Sequence, residues 1–216
     1  MILKVIYFLS LVTTVIYVIF YIKKSFDINL KYFLAFLLAM CLLEIVASFV
    51  KKMGFYNLIV YNILTLLEFN FLLLFIKNIL NSSKSKKIIN FLLIIFNIIY
   101  TSSSLYYIWI NSYLSTYNSV ASIIGSILVS IAVFLFLRDF LNSDKILNYW
   151  KTLSFWISFG LLIYYLGTIP FTSIMNFISN ITLESKLLLI KIQYLLTTLM
   201  YTCFIFGALW GQKILK

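Results

Sequence analysis

Two carboxylates, Glu44 and Glu68, stand inside long apolar stretches, CLLEIVASF (residues 41–49) and YNLIVYNILTLLEFN (56–70). An acid held away from water is costly, so it needs a hydrogen-bonding partner, a counter-charge or a task. Three tasks suit a pair of such acids: binding a ligand, passing protons or cations, or acting as acid and base on a substrate. Along helices, Glu44 lies seven residues before Lys51, about 10 Å in from that end, and Glu68 eleven after Asn57, about 16 Å in. A short connection makes these helices antiparallel neighbours, so the two acids are expected at similar depth. Tyr61 and Thr65 share the helix face of Glu68, at i−7 and i−3, and Asn62 lies beside it. Such a stripe should point into a bundle. The plainer alternative is that each glutamate is protonated, or bonded to Tyr, Thr or Asn, and serves helix packing alone. Lys191, about one turn inside the last apolar stretch, either snorkels to the interface or pairs inward with one of the acids.

Those acids need elements to hold them, and composition says which. Of 216 residues, 63% are hydrophobic and 11% charged. Soluble domains carry about 25% charged residues. No water-soluble fold of this length hides so much apolar side chain, so the lipid bilayer is the solvent. That excludes a cytosolic enzyme, a secreted disulfide scaffold and a DNA-binding module. The net charge of +11 then marks loops on the cytoplasmic side, not a nucleic-acid partner. The absence of histidine removes Ser-His and Cys-His catalysis and His-ligated metals. Cys41 and Cys203 lie in apolar stretches and read as packing residues. No metal and no cofactor is implied.

A helix crosses the hydrocarbon in about 20 apolar residues. Charge-poor windows place seven such helices at about 2–22, 30–50, 57–78, 88–110, 118–140, 152–175 and 187–210. The fold class is therefore all-α: one seven-helix transmembrane bundle, with no soluble domain. The first apolar stretch is followed by Lys23 and Lys24, not by a small-residue cleavage site, and reads as a retained helix. One set of loops and the C-terminus hold Lys23, Lys24, Lys31, Lys77, Lys84, Lys86, Lys87, Arg138, Lys145, Lys151, Lys213 and Lys216. The other side holds Lys4, Lys51, Lys52, Lys186 and Lys191. Twelve against five predicts the N-terminus outside and the C-terminus in the cytoplasm. Trp109, Trp150 and Trp210 fall near the expected helix ends, where interfacial anchors belong.

Ser122, Ser126 and Ser130, with Ala121 and Gly125 beside them, form a small-residue face suited to close helix packing. Helix six holds Gly160, Gly167 and the only proline, Pro170. Pro170 frees the carbonyl of Leu166 and should kink the outer half. Gly167 and Pro170 are thus either a hinge or a static bend filled by a neighbour. Trp156, Tyr164 and Tyr165 on the same helix are candidates to line a cavity.

The segments at 41–49 and 56–75, with FWISFGLLIYYLGTIP (155–170) and LMYTCFIFGALW (199–210), resemble a group of small, uncharacterised seven-helix membrane proteins common in Bacteroidota. Those proteins look like the membrane sensor regions of histidine kinases. The resemblance implies a signalling role in a bacterial inner membrane. It also implies that Glu44, Asn62, Glu68, Tyr164 and Pro170 are the motif positions.

Three functions follow as expectations. The first is a sensor or receptor-like bundle. A small or lipidic ligand enters from outside, meets Glu44, Glu68 and Tyr61, and moves helix six about Pro170. Lys84, Lys86, Lys87, Arg138 and Asp139 then contact a cytoplasmic or membrane signalling partner. The second is an ion- or proton-coupled transporter or an oligomeric channel, including a membrane effector built as a homo-oligomer. The third is an intramembrane enzyme using Glu44 and Glu68.

Overall fold

A computed structural model describes residues 2–22, 29–177 and 182–211. Lys23, Lys24, Lys213 and Lys216 lie outside the described residues, as do the side chains of Lys4 and Lys145. The chain forms α1 (Ile2–Ile22), α2 (Lys31–Lys52), α3 (Leu58–Ile79), α4 (Ser83–Trp109), α5 (Ser119–Leu141), α6 (Leu153–Phe177) and α7 (Leu183–Trp210). Short 3₁₀ turns over Asp144–Lys151, interrupted at Asn148, join α5 to α6. Among the described residues there is no strand. In hydrocarbon this is the expected solution, because a helix satisfies its own backbone. The helices α2 to α7 are long and apolar enough to cross a membrane, and α1 carries the shorter described apolar stretch Leu9–Ile19. The protein is accordingly a multi-pass membrane bundle.

Two helices begin earlier than their charges suggest. α4 starts at Ser83, not near residue 88, because the Ser82 side chain accepts from the Ser85 backbone N–H at 3.3 Å and caps the helix. Lys84, Lys86 and Lys87 therefore ride on its first turns, not in a loop. α7 starts at Leu183, not near 187, with Thr182 as its cap and Glu184 in its first turn. Lys191 is consequently about 12 Å along α7, two turns in. Both cases have one cause: a polar cap starts the helix before the apolar stretch begins.

The helices α1, α2, α3, α5, α6 and α7 close a ring by successive contacts, and α4 packs outside it against α3 and α5. Close packing supplies the cohesion, since lipid is as apolar as leucine. Gly125 of α5 leaves room for the Phe69 ring of α3, which a Cβ there would overlap. Asn70 of α3 and Asn97 of α4 exchange two amide hydrogen bonds, at 2.9 and 3.3 Å. At the end of the bundle that carries the α3–α4 connection, Phe33 meets Phe75, Phe204 and Tyr17 at centroid distances of 5.0, 5.1 and 5.1 Å. The Tyr17 hydroxyl donates to the Phe204 carbonyl at 3.0 Å. This aromatic knot ties α1, α2, α3 and α7 together.

Candidate functional site

The ring holds a cleft of about 200 Å³ between α3, α5, α6, α7 and the α4–α5 connection. Glu68 lies at its floor, halfway along α3. The Tyr165 hydroxyl of α6 donates to Glu68 Oε1 at 2.5 Å, a length typical of a hydroxyl bonded to a carboxylate. Tyr165 itself is buried, packed on Phe69 at 5.6 Å between centroids. Tyr117, Ser122, Ser126, Thr168, Thr172 and Gln193 also face the cleft. Gln193 Nε2 donates to the Tyr164 hydroxyl at 3.2 Å, while Gln193 Oε1 is buried without a hydrogen-bond partner.

The two acids meet different neighbours. Glu44 is approached by the Tyr61 hydroxyl at 3.5 Å, across the α2–α3 contact, and does not line the cleft. No hydrogen bond joins it to Glu68 among the described residues. The polar stripe of α3 divides in the same way, because α3 packs against α2, α4 and α5 at once. Tyr61 turns to Glu44. Thr65 donates to the Tyr61 carbonyl at 2.9 Å and meets the Tyr117 hydroxyl at 3.3 Å.

Asn62 is fully buried and clasps the α4–α5 connection. Its Nδ2 donates to the carbonyls of Tyr113 and Thr116, at 3.3 and 3.1 Å, and its Oδ1 accepts from the Asn118 N–H at 2.9 Å. Asn118 then caps α5 by accepting from the Ala121 N–H at 3.1 Å. Asn62 thereby sets the wall that carries Tyr117 into the cleft.

The remaining sequence candidates are spread along the bundle. Lys191 is exposed on α7 and makes no ion pair among the described residues. α6 continues through the exposed Pro170 to Phe177. Gly167 faces Leu196 of α7, whose Cδ1 would lie 2.5 Å from an added Cβ, so the glycine permits a close helix approach. At the far end, Arg138 donates to Ser85 Oγ and pairs with Asp139, both at 3.1 Å. Arg138 thus ties α5 to the first turn of α4, next to Lys84, Lys86 and Lys87.

Sequence reasoning passed over Tyr117, Thr168, Thr172 and Gln193. One signal was present: Tyr164, Thr168 and Thr172 recur at four-residue spacing on α6, a single polar stripe in an apolar helix. Nothing comparable marks Tyr117, which reaches the cleft from a connection. Chemically, the site offers a carboxylate, hydroxyls, an amide and aromatic rings. Among the described residues no group of three His, Cys, Asp or Glu is placed to hold a metal. No protein-family model, no curated protein and no solved structure matches the chain.

Proposed function

We propose that the protein is a receptor-like sensor of a bacterial inner membrane that takes a small ligand into the Glu68 cleft and signals through a partner. On this reading the chain crosses seven times, with its N-terminus outside and its C-terminus in the cytoplasm. The packing of α1 against α2 and α7 supports a seventh crossing, and the lysine asymmetry supports the orientation. The observation that carries the reading is the cleft itself: a floor carboxylate held by Tyr165 and walled by polar groups from separate elements. The buried aromatic knot around Phe33 packs α1, α2, α3 and α7 together toward the other end, which favours a blind binding site over a transport path. Signalling would leave through the cytoplasmic end, where Lys84, Lys86, Lys87 and the Arg138–Asp139 pair join α4 to α5. The likeness to sensor regions of Bacteroidota proteins agrees with this role.

The test is thermal unfolding of the purified protein in lipid nanodiscs against a panel of small polar metabolites. A ligand at a hundred times its Kd stabilises by about 2.7 kcal/mol. For a chain of this size that is a rise in Tm of about 5–11 °C. Thr168→Trp, which fills the cleft, is expected to abolish the rise. A rise that survives this plug refutes the cleft as the ligand site. Glu68-dependent ion flux in liposomes refutes the sensor in favour of a transporter.

A further inference from the structure

Three features of the cleft name the class of ligand it suits. The first is charge. Glu68 is the one acidic residue among the described lining residues, and none of them is basic. Lys191, two residues before Gln193, points about 200° away around α7 and is exposed. A carboxylate in the membrane without a counter-charge is a standing demand for a cation.

The second is the hydrogen-bond ledger. Ser126 donates to the Ser122 carbonyl at 2.8 Å, and Thr168 to the Tyr165 carbonyl at 3.0 Å. The Thr65 proton goes to the Tyr61 carbonyl, so the 3.3 Å contact with Tyr117 takes the Tyr117 proton. Tyr165 gives its proton to Glu68. These hydroxyls therefore turn lone pairs, not protons, toward the cleft. Glu68 Oε2 and the unpartnered Gln193 Oε1 add two more acceptors. Donors also face it: the Tyr164 and Ser122 hydroxyls and the second Gln193 N–H. The third feature is the aromatic lining, Phe69, Tyr117, Tyr164, Tyr165 and Phe171, whose ring faces attract cations.

Resting on the cleft reading above, we infer that the Glu68 cleft binds a small primary ammonium, with its N–H donors on Glu68 Oε2 and Gln193 Oε1 and its carbon chain against the aromatic wall. An anion meets Glu68 head-on, and a neutral alcohol brings one donor and no charge.

The probes are butylammonium, butan-1-ol and butyrate, with binding measured by calorimetry on the protein in nanodiscs. Butylammonium is expected to bind about tenfold or more tighter than butan-1-ol, the scale of one hydrogen bond to a charged group. Glu68→Gln is expected to erase that preference, and Glu44→Gln, outside the cleft, to keep it. Gln193→Leu leaves the Glu68 charge in place and is expected to lower the preference about tenfold, the scale of one hydrogen bond from a charged donor. It serves as the test should Glu68→Gln fail to fold. Persistence of the preference in both cleft variants overturns the inference. Equal binding of butan-1-ol or butyrate, blocked by Thr168→Trp, overturns the ammonium and leaves the cleft as a ligand site. No binding by any of the three probes overturns the ammonium alone, because the cleft reading falls only by its own plug experiment.

Discussion

Replacing Asn62 by alanine isolates the clasp on which the site depends. The change removes three side-chain hydrogen bonds: two from Nδ2 to the carbonyls of Tyr113 and Thr116, and one to Oδ1 from the Asn118 N–H. The Tyr100 hydroxyl bonds the Asn62 backbone carbonyl at 3.0 Å, so that contact survives. A typical net contribution is about 1 kcal/mol per bond, and bonds between membrane helices average about 0.6 kcal/mol. Three bonds lost from a fully buried residue then cost about 2–3 kcal/mol. At about 2–4 °C per kcal/mol the Tm should fall by about 4–12 °C. The assay is thermal unfolding in nanodiscs, with hydrogen exchange read over residues 111–118. Exchange there should rise before the rest of the bundle opens, because the connection loses its tether while the ring keeps its packing. Asn62→Asp keeps the acceptor for Asn118 but sets a carboxylate oxygen against two carbonyls, and should fall at least as far. A Tm within about 2 °C of the parent, with unchanged exchange over 111–118, refutes the clasp and with it the account of how Tyr117 is positioned.

Three further substitutions probe the scaffold around the cleft. Gly125→Val drives a side chain into the Phe69 ring; overpacking of this kind costs about 1–3 kcal/mol, and a parental Tm would show that α3 and α5 do not approach so closely. Asn70→Leu and Asn97→Leu each leave the other amide without its partner. A double-mutant cycle should return a coupling of about 0.6–1.7 kcal/mol, and strict additivity would count against the reciprocal pair.

Much of the architecture is legible in the residues. The helix α5 was expected over 118–140 and runs Ser119–Leu141, because a charge-free apolar run of that length marks a span. Starts were harder where lysines intervene: charge places the membrane boundary, whereas Ser82 and Thr182 place the helix boundary, several residues earlier. Glu68 could be picked out from its type and setting alone, since an acid amid leucines is conspicuous whatever surrounds it. Its partner could not. Tyr165 was one of three aromatic candidates to line a cavity on α6, but among 16 tyrosines nothing local assigns it to Glu68. The serine face of α5 reads as packing, and Gly125 serves that end, yet Ser122 and Ser126 also wall the cleft. One helix face can do both because small residues that admit a neighbour at one level leave a gap at the next.

By itself, the sequence determined that this protein is a bundle of membrane helices. Composition, apolar run length and lysine placement are properties of short segments, and lipid permits few structures for such segments. Tertiary structure decided what each polar residue does. The acids Glu44 and Glu68 stand on adjacent helices, yet one faces Tyr61 and the other Tyr165. Asn62 became a clasp and Gln193 a cleft wall by the same route. Those partnerships follow from how each helix is rotated within the ring and which neighbours close it. Rotation and closure are fixed by packing between residues far apart in the chain, 97 for Glu68 and Tyr165 and 187 for Tyr17 and Phe204, and no local pattern encodes contacts of that range.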